Sequence, residues 1–184
     1  MNFFISGQAE ANPSELQKRY AVSLYGGTLT DGHWEESVIL QTDFVDSHIV
    51  AGGFAWTYKR ADSNRWSLEM EANMTKHIGD QNHWEFNFPI FGARWHAFPW
   101  DEVIETSSAF GVGLSYATDV PEVEEEIDGP SRRLMVYWHY ELTFGPPGKN
   151  WTPLIRLHHR SPGYGLFGED GGSNALTMGV RFYL

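Results

Sequence analysis

The chain has 184 residues, a formal net charge of -11 and no cysteine. The acidic balance argues against nucleic acid as a partner, because binding to phosphates needs clustered lysine and arginine. The absence of cysteine excludes disulfides, thiol catalysis and thiolate metal sites. No apolar run is long enough for a membrane helix, but a membrane β-barrel hides its hydrophobicity in alternation and fits this composition.

The first 16 residues are expected to be a leader or a periplasmic segment. Ala9-Glu10-Ala11 has the small-x-small form of a signal-peptide cleavage site, and the apolar stretch before it is short. Residues 17–184 are then expected to form a single barrel.

Eight segments alternate apolar and polar side chains with the period of two that is typical of strands. In the third segment, Trp66, Leu68 and Met70 share one face. The even number of segments predicts an all-β fold, an eight-stranded antiparallel up-and-down transmembrane β-barrel of the outer-membrane type. The segments are 17–26, 48–60, 64–77, 83–95, 103–117, 132–145, 151–161 and 174–184.

The connections between these segments predict the orientation and the location of the barrel. Three short linkers fall on the side of both termini, and four longer ones fall on the other side. Short periplasmic turns with longer external loops are typical of such barrels, so we expect a bacterial outer-membrane location. Pro89 and Pro153 lack a ladder donor and should lie at a bulge or a strand end. Aromatic girdles are expected from Trp66, Trp84, Trp95, Trp100 and Trp151.

The polar faces carry charges of both signs, which favours a narrow interior in which the charges pair. The predicted set is Glu69, Glu71, Glu105 and Glu141 against Arg156, Arg160 and Arg181. A further acidic group, residues 122–128, falls in an external loop. We expect it to be solvated, with divalent cations bridging it to lipid phosphates as the alternative.

The end of the seventh segment carries the candidate chemistry. If Ile155 points toward lipid, the same parity turns His159 and Ser161 outward and His158 inward. Alternate residues on a strand lie about 6.6 Å apart, which lets an imidazole approach a hydroxyl. Serine needs such a base to become a nucleophile. A carboxylate in the following loop, Glu169 or Asp170, is expected to orient the imidazole, and His158 is expected to pair with a carboxylate in the lumen.

Three pieces of the C-terminal sequence together resemble the outer-membrane lipid A 3-O-deacylase family and its acyloxyacyl-hydrolase-like relatives. They are Arg156-Leu157-His158-His159-Arg160-Ser161, Asp170-Gly171-Gly172-Ser173-Asn174 and Gly179-Val180-Arg181-Phe182. The resemblance implies a barrel whose histidine and serine lie on the outer surface and hydrolyse an ester-linked acyl chain of lipid A without a cofactor. It implies His159 as general base and Ser161 as nucleophile.

Two positions depart from that family. Pro162 follows the serine where the family has an asparagine that assists the oxyanion, and Ser173 stands near the place of the orienting glutamate. Main-chain N–H groups often serve as oxyanion donors, so Gly163 or Tyr164 are expected to replace the first. Glu169 or Asp170 are expected to replace the second.

Other functions remain open at this stage. The main alternative is a non-catalytic barrel that serves as a structural or accessory subunit of a larger envelope assembly. For either function, a homo-oligomer or a larger envelope complex is left open. A soluble lipocalin-like carrier is a third possibility. Lipid A or a related membrane lipid and the bilayer are the expected partners. No metal site is predicted, because His77 and His83 flank a hairpin without a recognised ligand spacing.

Overall fold

The computed structural model describes residues 19–184, and the predicted leader or periplasmic segment 1–16 lies outside them. Eight antiparallel strands follow one another and close into a barrel in which β1 pairs with both β2 and β8. The predicted fold class is therefore confirmed. The strands are β1 (Tyr20–Thr30), β2 (Phe44–Arg60), β3 (Trp66–Gly79), β4 (Trp84–Trp95), β5 (Glu105–Ala117), β6 (Leu134–Gly145), β7 (Trp151–Ser161) and β8 (Ser173–Tyr183).

The two ends of the barrel differ in the length of their connections. We call one the loop end, formed by residues 31–43, 80–83, 118–133 and 162–172, and the other the turn end, formed by 61–65, 96–104 and 146–150. Two short helices, α1 (Trp34–Val38) and α2 (Glu122–Asp128), lie in loops of the loop end. Within residues 19–184 no helix is long and apolar enough to cross a bilayer.

The apolar face of the strands points outward, as the sequence pattern predicts. On β3, Met70 and Met74 are exposed, whereas Glu69, Asn73 and Thr75 are buried. The other strands repeat this arrangement, because side chains alternate across a strand and one face must fill the interior. The exterior of the barrel is therefore an apolar surface suited to hydrocarbon.

The lumen is filled by paired charges. Arg94 and Arg156 each donate to Glu141 at 2.6 Å, and all three side chains are buried. Arg181 donates to Glu69 at 2.9 Å, and Arg156 donates to Glu71 at 2.6 Å. This ion-pair network confirms the predicted pairing of opposite charges inside the barrel.

Glu105 is an exception to that prediction. It lies exposed at the turn end, where its carboxylate accepts the backbone N–H of Gly148 at 3.1 Å. Its position at the first residue of β5 puts it on the rim, beyond the narrow part of the lumen.

The acidic loop is also different from the expectation of a solvated segment. Glu124 is completely buried and accepts hydrogen bonds from Arg160 at 2.8 Å, Ser131 at 2.5 Å and Ser173 at 2.7 Å. The helical turn of α2 directs Glu124 toward the barrel, whereas Glu125 and Glu126 stay exposed. Solvation therefore holds only for the outer side of this helix.

The structure confirms the predicted position of one of the two prolines. Pro89 lies at a bulge between β4 and β5, as predicted. Pro153 is the third residue of β7 and pairs with Val180 of β8 without a bulge, but it lies outside the paired part of β6 and β7, which ends at Leu154. Trp66 and Trp95 face each other across β3 and β4 at the turn end. Trp84 begins β4 at the loop end. Bands of aromatic side chains at both ends match the two interfaces of a membrane.

Candidate active site

His159 and Ser161 lie at the loop end of β7 on its outer face. The intervening Arg160 and the preceding His158 point into the lumen and are buried. His159 and Ser161 are partly exposed. The strand parity predicted from the sequence is thus the observed one.

The side chain of Asn174 fixes the His159 ring. Asn174 lies directly opposite His159 in the pairing of β7 with β8, and its Oδ1 is 2.6 Å from Nδ1 of His159. On the other side, the ring packs against the outward-facing Trp138 of β6, with ring centroids 4.3 Å apart. The imidazole is therefore held on two sides by neighbouring strands.

The orientation of the Asn174 amide determines which nitrogen of His159 carries the proton. Nδ2 of Asn174 donates to the carbonyl oxygen of Gly32 at 2.9 Å, so Oδ1 must be the atom that faces His159. An amide oxygen only accepts, which requires Nδ1 to be the protonated nitrogen. Nε2 then keeps its lone pair and is available as a base.

A cleft of about 300 Å³ opens beside these residues. His159, Ser161 and Asn174 line one side of it, and the loop that carries α1 lines the other. The chain enters β8 through Gly172, whose φ of +145° and close approach to the Arg160 carbonyl leave no room for a side chain. This close approach brings the start of β8 against Ser161 and narrows the cleft.

The loop after Ser161 turns sharply at once. Gly163 and Tyr164 both have positive φ, 67° and 56°. A Cβ at Gly163 would meet Val136 at 2.4 Å, so glycine is required there. Within residues 19–184 the backbone N–H groups of Gly163 and Tyr164 donate no hydrogen bond, whereas Phe167 donates to the Pro162 carbonyl. Pro162 itself has no N–H. The two residues that follow it therefore supply two unpaired backbone donors shortly after Ser161 in the chain.

The structure does not bring all the predicted site residues together. No hydrogen bond joins His159 and Ser161 in the described part of the chain, although both line the same cleft. Glu169 and Asp170 are exposed in the loop, and neither is bonded to His159. Asp170 instead lies against Gly129, after α2. The group at Nδ1 of His159 is the Asn174 amide.

Sequence reasoning missed Asn174 as the partner of His159, although it is part of the quoted glycine-rich motif. The available signal was the pairing of the last two strands, because antiparallel neighbours at that end bring the start of β8 opposite the end of β7. The fold also brings His77 and His83, whose spacing predicts no metal site, together with Glu85, and the possible ligand atoms of the three residues lie within 4.8 Å of one another.

Comparison with known proteins identifies structures of the same fold but no sequence family. No family model matches the chain, and no curated protein matches it. Among solved structures, the outer membrane enzyme PagL aligns with a TM-score of 0.64 and 12% identity, over 89% of this chain and 99% of that one. The N-terminal β-barrel domain of Pseudomonas aeruginosa OprF has a TM-score of 0.51 and 11% identity, over 91% and 98%.

Neisserial surface protein A has a TM-score of 0.50 and 10% identity, over 90% of this chain and 96% of that one. At these identities the likeness concerns the fold, which one enzyme and two other barrels share. The chain is thus an outer-membrane-type barrel, and the apolar exterior agrees with the predicted outer-membrane location.

Proposed function

We propose that this protein is an outer-membrane ester hydrolase that removes an ester-linked acyl chain from lipid A or a related glycolipid. The observation that carries the proposal is the hydrogen bond between Asn174 and His159, in a cleft that also holds Ser161. A fixed imidazole beside a serine is the arrangement that serine hydrolases use. The family resemblance of the C-terminal motifs supports the same chemistry.

Asn174 takes the orienting role that a carboxylate holds in many such sites. An asparagine amide performs this role in cysteine hydrolases with a Cys-His-Asn arrangement. Here the Gly32 carbonyl fixes the amide, the amide fixes Nδ1–H, and Nε2 of His159 becomes the base. The exposed Glu169 and Asp170 are then not required for this role.

The reaction proceeds in two halves. His159 Nε2 takes the hydroxyl proton of Ser161 while Oγ attacks the ester carbonyl carbon. The bond from that carbon to the sugar oxygen breaks, and His159 returns the proton to the sugar oxygen. Water, deprotonated by His159, then attacks the acyl-serine and releases the fatty acid and the free Ser161 hydroxyl.

The negative charge that develops on the carbonyl oxygen needs donors near Ser161. We assign this role to the backbone N–H groups of Gly163 and Tyr164, since both are without a partner in the described chain. Preorganised main-chain donors stabilise such an oxyanion strongly. Holding Tyr164 in the left-handed region costs energy, which is consistent with a constrained loop at this point.

The position of the site fits a substrate that arrives from the membrane. The outer surface around β6 and β7 is apolar, with Ile155 and Leu142 exposed below the site toward the middle of the barrel. An acyl chain lying in the outer leaflet meets the serine from the side of the barrel. The buried charges of the lumen leave no comparable route through the interior.

The alternative function is a non-catalytic barrel that acts as a structural or accessory subunit of an envelope assembly. The specific observation in its favour is that His159 and Ser161 are not hydrogen-bonded in the described chain. Catalytic hydrogen bonds are often long before substrate binds, so this observation does not outweigh the fixed tautomer of His159.

Mass spectrometry of lipid A separates the two functions. Cells that express the chain should contain lipid A lighter by one acyl chain than cells without it, and a Ser161→Ala variant should restore the original mass. As a control, the Ser161→Ala protein must be folded and present in the same amount as the wild-type protein. An unchanged acylation pattern with the wild-type chain, or the same loss with both chains, would contradict the proposal.

A further inference from the structure

A second cluster of chemically capable side chains lies at the loop end of the lumen, separate from the Ser161 cleft. His77 is near the end of β3, Glu85 is the second residue of β4, and His83 belongs to the short connection between them. All three are buried, with exposed fractions of 1%, 0% and 4% in the order given. Each offers one ligand atom, and these atoms lie within 4.8 Å of one another.

The hydrogen bonds of this cluster are incomplete. Glu85 bonds Nε2 of His77 and Nε2 of His158, both at 2.9 Å, and Gln81 bonds Nδ1 of His77 at 2.8 Å. Nε2 of His83 is buried without any partner among residues 19–184. A buried polar nitrogen without a partner is costly, and native structures normally satisfy it. The unpartnered nitrogen therefore points to a ligand that the cluster is built to hold.

We propose that His77, His83 and Glu85 bind Zn²⁺ or another divalent ion of the same borderline class. Two imidazoles and one carboxylate are a donor set that zinc accepts, whereas calcium and magnesium prefer oxygen ligands alone. The ion would bind the lone pair of His83 Nε2 and the Nε2 atom of His77. The neutral His77 ring would then carry its one proton on Nδ1, where Oε1 of Gln81 would accept it after rotation of the amide.

The surroundings of the cluster support this role. Gln81, which bonds Nδ1 of His77, also has an Oε1 atom that is buried without a partner among residues 19–184. A metal-bound His commonly donates its second nitrogen to such a neighbour.

An occupied site would tie the β3–β4 connection to the lumen. His83 lies in the four-residue connection 80–83, and its stacked contact with His77, with ring centroids 4.2 Å apart, already draws the connection inward. The ion would add a direct bond from that connection to both strands. The role that follows is structural, at a distance from the serine and independent of the proposed hydrolysis.

Metal content tests the proposal directly. Untagged protein is folded in detergent micelles, stripped with EDTA, incubated with excess ZnCl₂, separated by gel filtration and analysed by elemental mass spectrometry. The wild-type chain and a His48→Gln control should retain about one zinc ion per chain, because the His48 side chain is half exposed and lies outside the cluster. His83→Gln should bind roughly tenfold or more weakly.

Equal zinc content in wild type and His83→Gln would overturn the proposal. A zinc content of the wild-type protein no higher than that of a metal-free blank would also overturn it, and would leave water as the partner of His83. Heat-dependent gel migration shows whether each variant is folded. If His83→Gln does not fold, Co²⁺ added to stripped wild-type protein decides the question. An intense visible absorption band of a four-coordinate site supports the proposal, and its absence contradicts it.

Discussion

His158 and His159 are adjacent in the chain but bond to groups on opposite sides of the barrel wall. Nε2 of His158 lies 2.9 Å from Glu85 in the lumen, and Nδ1 of His159 lies 2.6 Å from Asn174 on the outside. The alternation of a β-strand makes this separation unavoidable. It provides two histidines of the same strand, one structural and one assigned to catalysis, for direct comparison.

Replacing each of these histidines by alanine should therefore give different results. His159→Ala should lower hydrolysis of a lipid A ester by at least about 10³-fold, because the base is lost while the fold is kept. His158→Ala should leave most of the turnover but lower the free energy of unfolding, since Glu85 then loses one of its two imidazole partners. Turnover in detergent and denaturant titration measure the two effects, and an equal loss of turnover in both variants would contradict the assignment.

Removing the amide of Asn174 should slow the reaction without abolishing it. Asn174→Ala leaves Nδ1 of His159 without its acceptor, so the ring rotates and samples the other tautomer. We expect kcat to fall about 10²-fold with little change in KM, a size within the usual range of general-base effects. Asn150→Ala, a change in the exposed turn 146–150, is the matched control. Full activity of Asn174→Ala would remove this residue from the mechanism.

The lumen network should contribute strongly to the stability of the fold. Glu141→Gln leaves three buried arginines, Arg94, Arg156 and Arg181, with a neutral partner in place of a carboxylate. Breaking one member of a buried ion-pair network costs about 3–5 kcal/mol. Unfolding in denaturant, followed by tryptophan fluorescence, should show this loss. Glu126→Gln on the exposed side of α2 should change the unfolding free energy very little, and a similar loss in both variants would argue against the network.

His96 at the turn end should make the barrel sensitive to acid. Burial, with Arg94 nearby, lowers the pKa of His96 from 6.5 to about 3, and Ser67 bonds its Nε2 at 2.8 Å. The folded state therefore resists protonation more than the unfolded state does. Its contribution to stability is complete above pH 6.5 and is lost as the pH falls from 6.5 toward 3.

A His96→Gln variant tests this pH dependence, since glutamine does not titrate and keeps a polar contact with Ser67. The free energy of unfolding should fall less steeply with acidification in the variant than in the wild type between pH 6 and about 4. Parallel curves for the two proteins would show that His96 is not the group responsible.

The fold was predictable from the sequence because the period of two is local information. Each strand shows its apolar and polar faces without reference to its neighbours, and burial of the polar face in a narrow lumen follows from the pairing of opposite charges. The strand ends are less well predicted. β2 begins at Phe44, before the predicted start at 48, because its first residues pair with Thr30 and Gly79 of the adjacent strands.

The candidate site was predictable only in part, for a related reason. Strand parity places His159 and Ser161 on one face, but the partner of His159 depends on the register of β8, which the sequence of β7 does not contain. The burial of Glu124 likewise depends on the position of α2 and on hydrogen bonds from Arg160 of β7 and Ser173 of β8. Helices of five and seven residues are too short to give a clear periodic signal.

The arginine and glutamate network that fills the centre of the barrel also defines where the protein can act. A barrel whose lumen is filled by charged side chains should not conduct ions. Planar-bilayer recordings should therefore show no steady current through it. We therefore do not expect residues 19–184 to pass solutes across the membrane. We expect their activity on the lipid-facing circumference or on the loops of the loop end.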